Sequence, residues 1–385
     1  MSHILECYEI AKTDFVRAEN CYVYDSRGRR YVDLEAGCWA AVLGHNPARI
    51  QRVIREQSGK LTHIGKRYPN ETVELAAVDV LGITGLESGK CVFLSSGSEA
   101  VELAVRAARR ASDRPLCLTF SNSYLAAYGS AGAKSGDEWR ILDWTGFESA
   151  NPDELLKDIP FERIGAFVFE PGGSGIGFVH FPPKPLVEAI ARRVRESGGL
   201  IAVNEITTGM GRTGKWFGFQ HYDVQPDIIA LGKGLGNGYP VSAVALRLGA
   251  AEALERGGFH YVQSHQNDPL GCAIAREVIA ALHEDKWIER GAELGAFFLE
   301  GLRKIQEKRS LAKEARGRGM LLGLELQPRE DMPVSRVYHA LLENGYLAGY
   351  YAAGNLLRFD PSLTIDREDI EKFLESLDEI LKAGD

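Results

Sequence analysis

The stretch Leu200–Pro240, LIAVNEITTGMGRTGKWFGFQHYDVQPDIIALGKGLGNGYP, decides how the rest of the chain is read. It opens on a short all-apolar run, Leu200–Val203, and breaks at once into a loop rich in glycine and threonine. A second apolar run, Ile228–Leu231, ends at Gly232-Lys233-Gly234. Runs this short and uniformly apolar fit strands covered on both faces, the habit of parallel sheets. In such sheets ligands sit beyond the carboxyl ends of the strands, where Asn204–Gly214 and Leu231–Pro240 both fall. A lysine just past a buried strand, among four glycines, is partly stripped of water. Its amine pKa falls, and a neutral amine is a nucleophile toward aldehydes. Taken alone, a Lys-Gly pair reads first as an exposed loop.

The same alternation extends outward. Cys91–Leu94, Leu116–Phe120, Ile164–Phe169 and Val241–Leu246 read as strands, with helices over Ser98–Arg110 and near Pro185–Glu196. This is an α/β pattern with a largely parallel sheet. Past residue 250 the order becomes helix-first: helices near Pro269–Glu284 and Ile288–Lys308, a strand at Met320–Glu325, a helix near Val334–Asn344, strands around Leu347–Tyr351 and Leu356–Phe359, and a last helix from Arg367. Tyr22–Leu34, YVYDSRGRRYVDL, reads as a hairpin turning at Asp25–Gly28. The expected division is an N-terminal segment 1–45, a large domain 46–250 and a small α+β domain 251–385.

Composition narrows the function. Among 385 residues, 45 Lys+Arg stand against 53 Asp+Glu, a net charge of −8, so nothing draws the chain electrostatically to nucleic acid or anionic lipid. No run nears the roughly 18–20 apolar residues of a membrane span, and MSHILECYEIAKTD lacks the apolar core of a signal peptide. Six scattered cysteines without a C-x-x-C suit reduced thiols. The expected setting is the cytoplasm. The nine histidines show no H-x-x-x-H spacing, so no metal site is expected, and His260 and His265 read as solvated loop or interface.

Ser95–Ala100, SSGSEA, stands between a strand and a helix. Gly97 lets the backbone approach an anion, and the Gly97 and Ser98 amides open a helix whose positive end favours phosphate. A plain N-cap by Ser96 or Ser98 is the equal alternative.

Taken together, these segments resemble the class-III (ornithine/acetylornithine/4-aminobutyrate-type, subgroup II) aminotransferases of the fold type I pyridoxal-phosphate enzymes. The resemblance runs in order through YVYDSRGRRYVDLEAG, LGHNP, FLSSGSEAVELAVRAAR, FEPGGSGIG, the whole of Asn204–Val244, NDPLGCA and LLRFDPSL. It implies pyridoxal 5'-phosphate as cofactor and an amino group moved between an amino acid or amine and a keto acid. By the same resemblance Lys233 forms the Schiff base and shuttles the proton, and Gly97 and Ser98 hold the phosphate. Ile206 and Tyr124 flank the ring, Thr207 stands near the ring hydroxyl, Glu170 supports the ring from behind, and Asn204 faces the pyridine nitrogen. Ser264 reaches the phosphate from a partner subunit, which implies a homodimer. Arg358 binds the substrate carboxylate. Trp39 lines the substrate mouth, or equally is a packed core aromatic.

Four departures from the family pattern stand out. Asn204 replaces an aspartate that would keep the pyridine nitrogen protonated. Ser121–Gly132 lacks the usual His-Gly pair and has Ala126 and Ala127 where some relatives carry an arginine. Gly175 stands where a second glutamate would pair with the carboxylate-binding arginine, and Ser264 replaces a threonine. Asn204 keeps open a racemase, epimerase or lyase on the same fold, and a catalytically weakened cofactor-binding partner protein remains the reading from outside enzymology.

Overall fold

The computed structural model describes residues 3–5, 7, 8, 11, 13–145, 151–172 and 179–384. Its largest sheet has seven strands in the spatial order Lys90–Leu94, Ser242–Leu246, Ile228–Leu231, Leu200–Asn204, Ile164–Phe169, Leu116–Phe120, Trp139–Leu142. Only Ser242–Leu246 runs against its neighbours; the pairings from Ile228–Leu231 across to Trp139–Leu142 are parallel. Every residue of Leu116–Phe120, Ile164–Phe169, Ile228–Leu231 and Ser242–Leu246 is buried.

Alternate residues of these strands pack into two separate cores. Ala166, Val168, Ala202, Ala230 and Val244 meet Val101, Ala104, Val105 and Ala108 of the helix Gly97–Ser112. Phe167, Phe169, Ile201, Val203 and Ile229 share the other core with Leu186, Val187, Ile190 and Val194 of the helix Lys184–Glu196. The face under Gly97–Ser112 is rich in alanine, so that helix lies close and its N-terminus is held near the strand ends. Leu200–Asn204 and Ile228–Leu231 pair in register, with Asn204 opposite Ala230. The loops that follow them therefore leave the same edge side by side.

Two smaller sheets complete the chain. Ala312–Arg318, Leu321–Leu326, Leu356–Phe359 and Gly349–Tyr351 form an antiparallel sheet in that order. The expected hairpin forms between Tyr22–Asp25 and Arg30–Asp33, with Gly28 at φ 81 and the Asp25 carboxylate accepting from the Arg27 and Arg29 amides. Phe15–Glu19 extends this sheet on one side and Tyr346–Leu347, running parallel to Arg30–Asp33, on the other. The single strand expected over Leu347–Tyr351 is thus two, split at buried Ala348 and serving different sheets. Met320 precedes its strand rather than starting it. The helix Pro269–Glu284 packs on Ala48–Ser58 and Glu71–Thr84, two helices the sequence pattern did not single out.

Backbone meets backbone where the loop after Asn204 docks. Arg212, fully buried, donates through one terminal nitrogen to the carbonyls of Met320, Asp360 and Pro361. Beside it the helix Trp287–Lys308 presses Gly295 onto the turn at Gly319, and a Cβ at Gly295 would lie 2.2 Å from the Gly319 carbonyl oxygen. No flexible side chain is there to yield. Gly295→Ala is expected to cost about 1–3 kcal/mol, read as a lowered urea midpoint; an unchanged midpoint would contradict this packing.

Candidate active site

Lys233 opens a short 3-10 turn, Lys233–Gly236, immediately beyond Ile228–Leu231. Its φ of 44° is left-handed, and a Cβ at the next residue, Gly234, would meet Met210 and Val42 at 2.9 Å, so the turn is packed rather than loose. The Lys233 Nζ donates to Thr207 Oγ1 at 3.3 Å and lies 4.6 Å from the centre of the Trp39 ring. Burial pushes its pKa below the ordinary lysine value. Glu170 and Cys38 pull it back up, and Arg358 pushes it down again. The buried-lysine reading of the Gly-Lys-Gly segment holds, against the exposed-loop one.

Asn204 ends its strand with 3 % exposure. Its Oδ1 accepts from the Ile206 amide at 3.1 Å and its Nδ2 donates to the Tyr124 carbonyl at 3.1 Å. One partner can only donate and the other only accept, so the amide's orientation is fixed by the network. A carboxylate in the same rotamer would set an oxygen against the Tyr124 carbonyl; the amide suits this loop. Glu170, also buried, accepts from the Tyr124 amide at 3.0 Å. Tyr124 is thus held by its backbone from both sides while the residue stays 47 % exposed.

The N-terminus of Gly97–Ser112 forms the expected cap and leaves two amides beyond it. Ser96 is the N-cap; its Oγ accepts from the Glu99 amide, and Glu99 returns a bond to the Ser96 amide at 2.7 Å. The Ala100 amide goes to the Ser96 carbonyl. That leaves the Gly97 and Ser98 amides, two of the four a helix start cannot satisfy internally, for a ligand. A Cβ at Gly97 would lie 2.7 Å from Ile206, so glycine is required where the Ile206 side chain crosses the helix start. Ser98 spends its hydroxyl as acceptor for the Ala127 amide. Backbone donors for an anion, a desolvated amine and a pinned amide make a donor set that fits pyridoxal phosphate.

Arg358 lies in Leu356–Phe359 with 2 % exposure. Its Nε donates to Asp360 at 2.7 Å, one terminal nitrogen to Glu35 at 2.7 Å and the other to the Tyr351 hydroxyl. Trp39 covers its face, 3.6 Å from ring centre to guanidinium carbon. Trp39 is therefore a packed aromatic that touches both Lys233 and Arg358. Glu35, Tyr351 and Asp360 were not identified from the sequence; Glu35 lies 323 positions from its partner. Gly175 falls outside the described residues. Ser264 is exposed, and no described contact brings it to Lys233. His63, also missed, joins His265 and Asp268: each histidine Nδ1 meets one Asp268 oxygen, and the three ligand atoms lie within 4.8 Å.

Burial raises the Glu35 pKa to about 7. Arg358 opposes this, but its charge is already met by Asp360, and Asp360 and Asp33 repel a second anion. The folded chain therefore holds a proton on Glu35 that the unfolded chain, at the ordinary value of 4.5, gives up. Its contribution to stability is complete below about pH 4.5 and is lost as pH rises through about 7. Glu35→Gln removes this titration. Urea unfolding at about pH 5 and about pH 8 is expected to favour the variant over the parent by roughly 1–3 kcal/mol more at the higher pH; parallel behaviour would contradict the assignment.

Comparison with known proteins places the chain and its fold. The model of the family "Aminotransferase class-III" matches residues 8–135 and 150–381. Acetylornithine aminotransferase of Caldanaerobacter subterraneus is 31 % identical over 392 residues, covering 98 % of this chain and 97 % of that protein. Leucine/methionine racemase of Thermococcus litoralis is 29 % identical, covering 94 % and 89 %. The crystal structure of acetylornithine aminotransferase from Elizabethkingia anophelis superposes with a TM-score of 0.86 at 27 % identity, over 99 % of this chain and 96 % of that one. Among the described residues no helix is long and apolar enough to cross a membrane. With a family match across nearly its whole length and the fold to go with it, the chain belongs to the class-III aminotransferases, enzymes that depend on pyridoxal 5'-phosphate.

Proposed function

We propose that this enzyme moves an amino group between an α-amino acid or amine and a keto acid at the cluster built on Lys233, Asn204 and Arg358. Pyridoxal phosphate, when bound, supplies an aldehyde that condenses with amines and a ring that takes up the electron pair left when a proton departs. Burial lowers the proton affinity of Lys233, so its Nζ would be the group that holds the aldehyde and moves a proton at the substrate carbon. Thr207 orients its Nζ and stands by the ring hydroxyl. The Gly97 and Ser98 amides would hold the phosphate, Ile206 and Tyr124 would flank the ring, and Glu170 holds the Tyr124 backbone in place.

Arg358 takes the substrate carboxylate in exchange for Glu35. Glu35 is the partner able to withdraw: its side chain is 22 % exposed where that of Asp360 is 0 %, and protonation frees it near neutral pH. Ser264 serves the phosphate of a second copy, making the enzyme a homodimer in the cytoplasm, and the division at residues 45 and 250 belongs to the same reading. The buried amine of Lys233, together with the open amides of Gly97 and Ser98, is the observation that carries it.

Asn204 favours a second reading. A neutral amide withholds the counter-charge that keeps a pyridine nitrogen protonated, which weakens the ring as an electron sink and favours return of the proton to the substrate carbon. The similarity to a leucine/methionine racemase points the same way. Single amino acids added to the holoenzyme decide between them. Amine transfer is expected to deplete the cofactor's aldehyde absorbance and a keto acid to restore it. Loss of the amino acid's optical activity under an unchanged spectrum would mean racemisation, and neither change with any amino acid would overturn both.

A further inference from the structure

Every nitrogen of Arg358 already donates to a protein oxygen, and one face of its plane is covered. Three of its five N–H groups are spent in this way, and once Glu35 withdraws a carboxylate meets the two terminal nitrogens as a fork, one of them shared with the Tyr351 hydroxyl. A second donor stands at the same place. The indole Nε1 of Trp39 is buried and has no hydrogen-bond partner. An indole N–H can only donate, and leaving it unpaired away from water costs free energy in every folded molecule.

The ring that carries this donor touches both ends of the reaction centre, 3.6 Å from the Arg358 carbon and 4.6 Å from the Lys233 nitrogen. The backbone behind it is strained. Ala36, Gly37, Cys38 and Trp39 lie consecutively in the left-handed region, with φ of 45°, 56°, 60° and 67°. Only one of the four is glycine, and each of the others resists this conformation. The turn is fixed at its start by Asp33, whose Oδ1 accepts from the Glu35 and Ala36 amides at 2.8 and 3.1 Å and whose Oδ2 meets His45. The Trp39 ring packs against the small apolar cluster of Val179, Leu321 and Leu356. Strain and an orphaned donor, maintained together beside a reactive amine, mark a group held ready for a ligand.

We propose that the Trp39 indole N–H reads the substrate: it donates to the carboxylate of the amino acid or keto acid whose reacting carbon lies at Lys233, sharing that carboxylate with Arg358. This deepens the function proposed above and rests on it. An amine without a carboxylate leaves the indole donor unpaired and Glu35 in place on Arg358, so the site selects for α-carboxylate substrates through two groups rather than one.

Two small probes isolate the effect. Aminooxyacetate and O-methylhydroxylamine carry the same nucleophile toward the cofactor aldehyde, and only the first bears a carboxylate. The holoenzyme is expected to react with aminooxyacetate in preference. Trp39→Phe keeps an aromatic ring over Arg358 and removes the N–H; the preference, taken as the ratio of the two rates, is expected to fall about tenfold or more, whatever change the variant makes to both rates together. An unaltered preference in this variant would overturn the assignment. Should Trp39→Phe fail to hold cofactor, ultraviolet resonance Raman of the parent holoenzyme takes its place: the indole band sensitive to N–H hydrogen bonding is expected to shift with aminooxyacetate alone, and no shift overturns the proposal. If neither probe disturbs the parent chromophore, the amine-transfer reading itself fails along with this one.

Discussion

A primary amine held out of water at the ends of two parallel strands is the constraint around which the molecule is arranged. An ionised ammonium is costly to bury without a partner, and among the described residues the side-chain bond Lys233 makes is to a neutral hydroxyl. The surroundings supply the rest by packing. Gly232 and Gly234 let the chain turn against Ile206 and Met210, the Trp39 ring closes one approach, and the register of Asn204 with Ala230 fixes which loops meet. Each of these is a matter of shape, so the amine's lowered proton affinity follows from the fold itself.

Charge is dealt with a short distance away. Arg358 and Arg212, both buried, share Asp360, which is fully enclosed, and the field of Asp33 and Glu35 reaches the same place. Asp360 binds Arg358 directly, and the combined anions hold that guanidinium firmly charged while burial lowers the Arg212 pKa to about 10. Removing one partner of a buried pair strands the other at a cost of about 3–5 kcal/mol, so Asp360 is a fixed counter-ion and Glu35 a replaceable one. That asymmetry turns a structural ion cluster into a place where a substrate anion can compete.

The sheet was legible because its strands are nearly pure apolar runs, and Leu116–Phe120, Ile164–Phe169 and Ile228–Leu231 stand where their composition puts them. Trp139–Leu142 was not, since two of its four residues are exposed at the sheet edge and the apolar run that marks a covered strand is missing. Lys233 and Asn204 were readable because local glycine and strand patterns frame them. Glu35 and His63 were not, because their partners Arg358 and Asp268 are 323 and 205 positions away, and nothing local in a sequence records such a meeting. Trp39 lay between: its place near the mouth was readable, while the left-handed turn that aims it belongs to Asp33 and the tertiary packing.

Borohydride reduction of the holoenzyme, followed by digestion and peptide mass analysis, fixes the coenzyme wherever it is bound through nitrogen. The added mass is expected on the peptide carrying Lys233 and to vanish in Lys233→Ala. Its appearance on another lysine, or its absence from a protein that still holds the coenzyme, would contradict the active site described above.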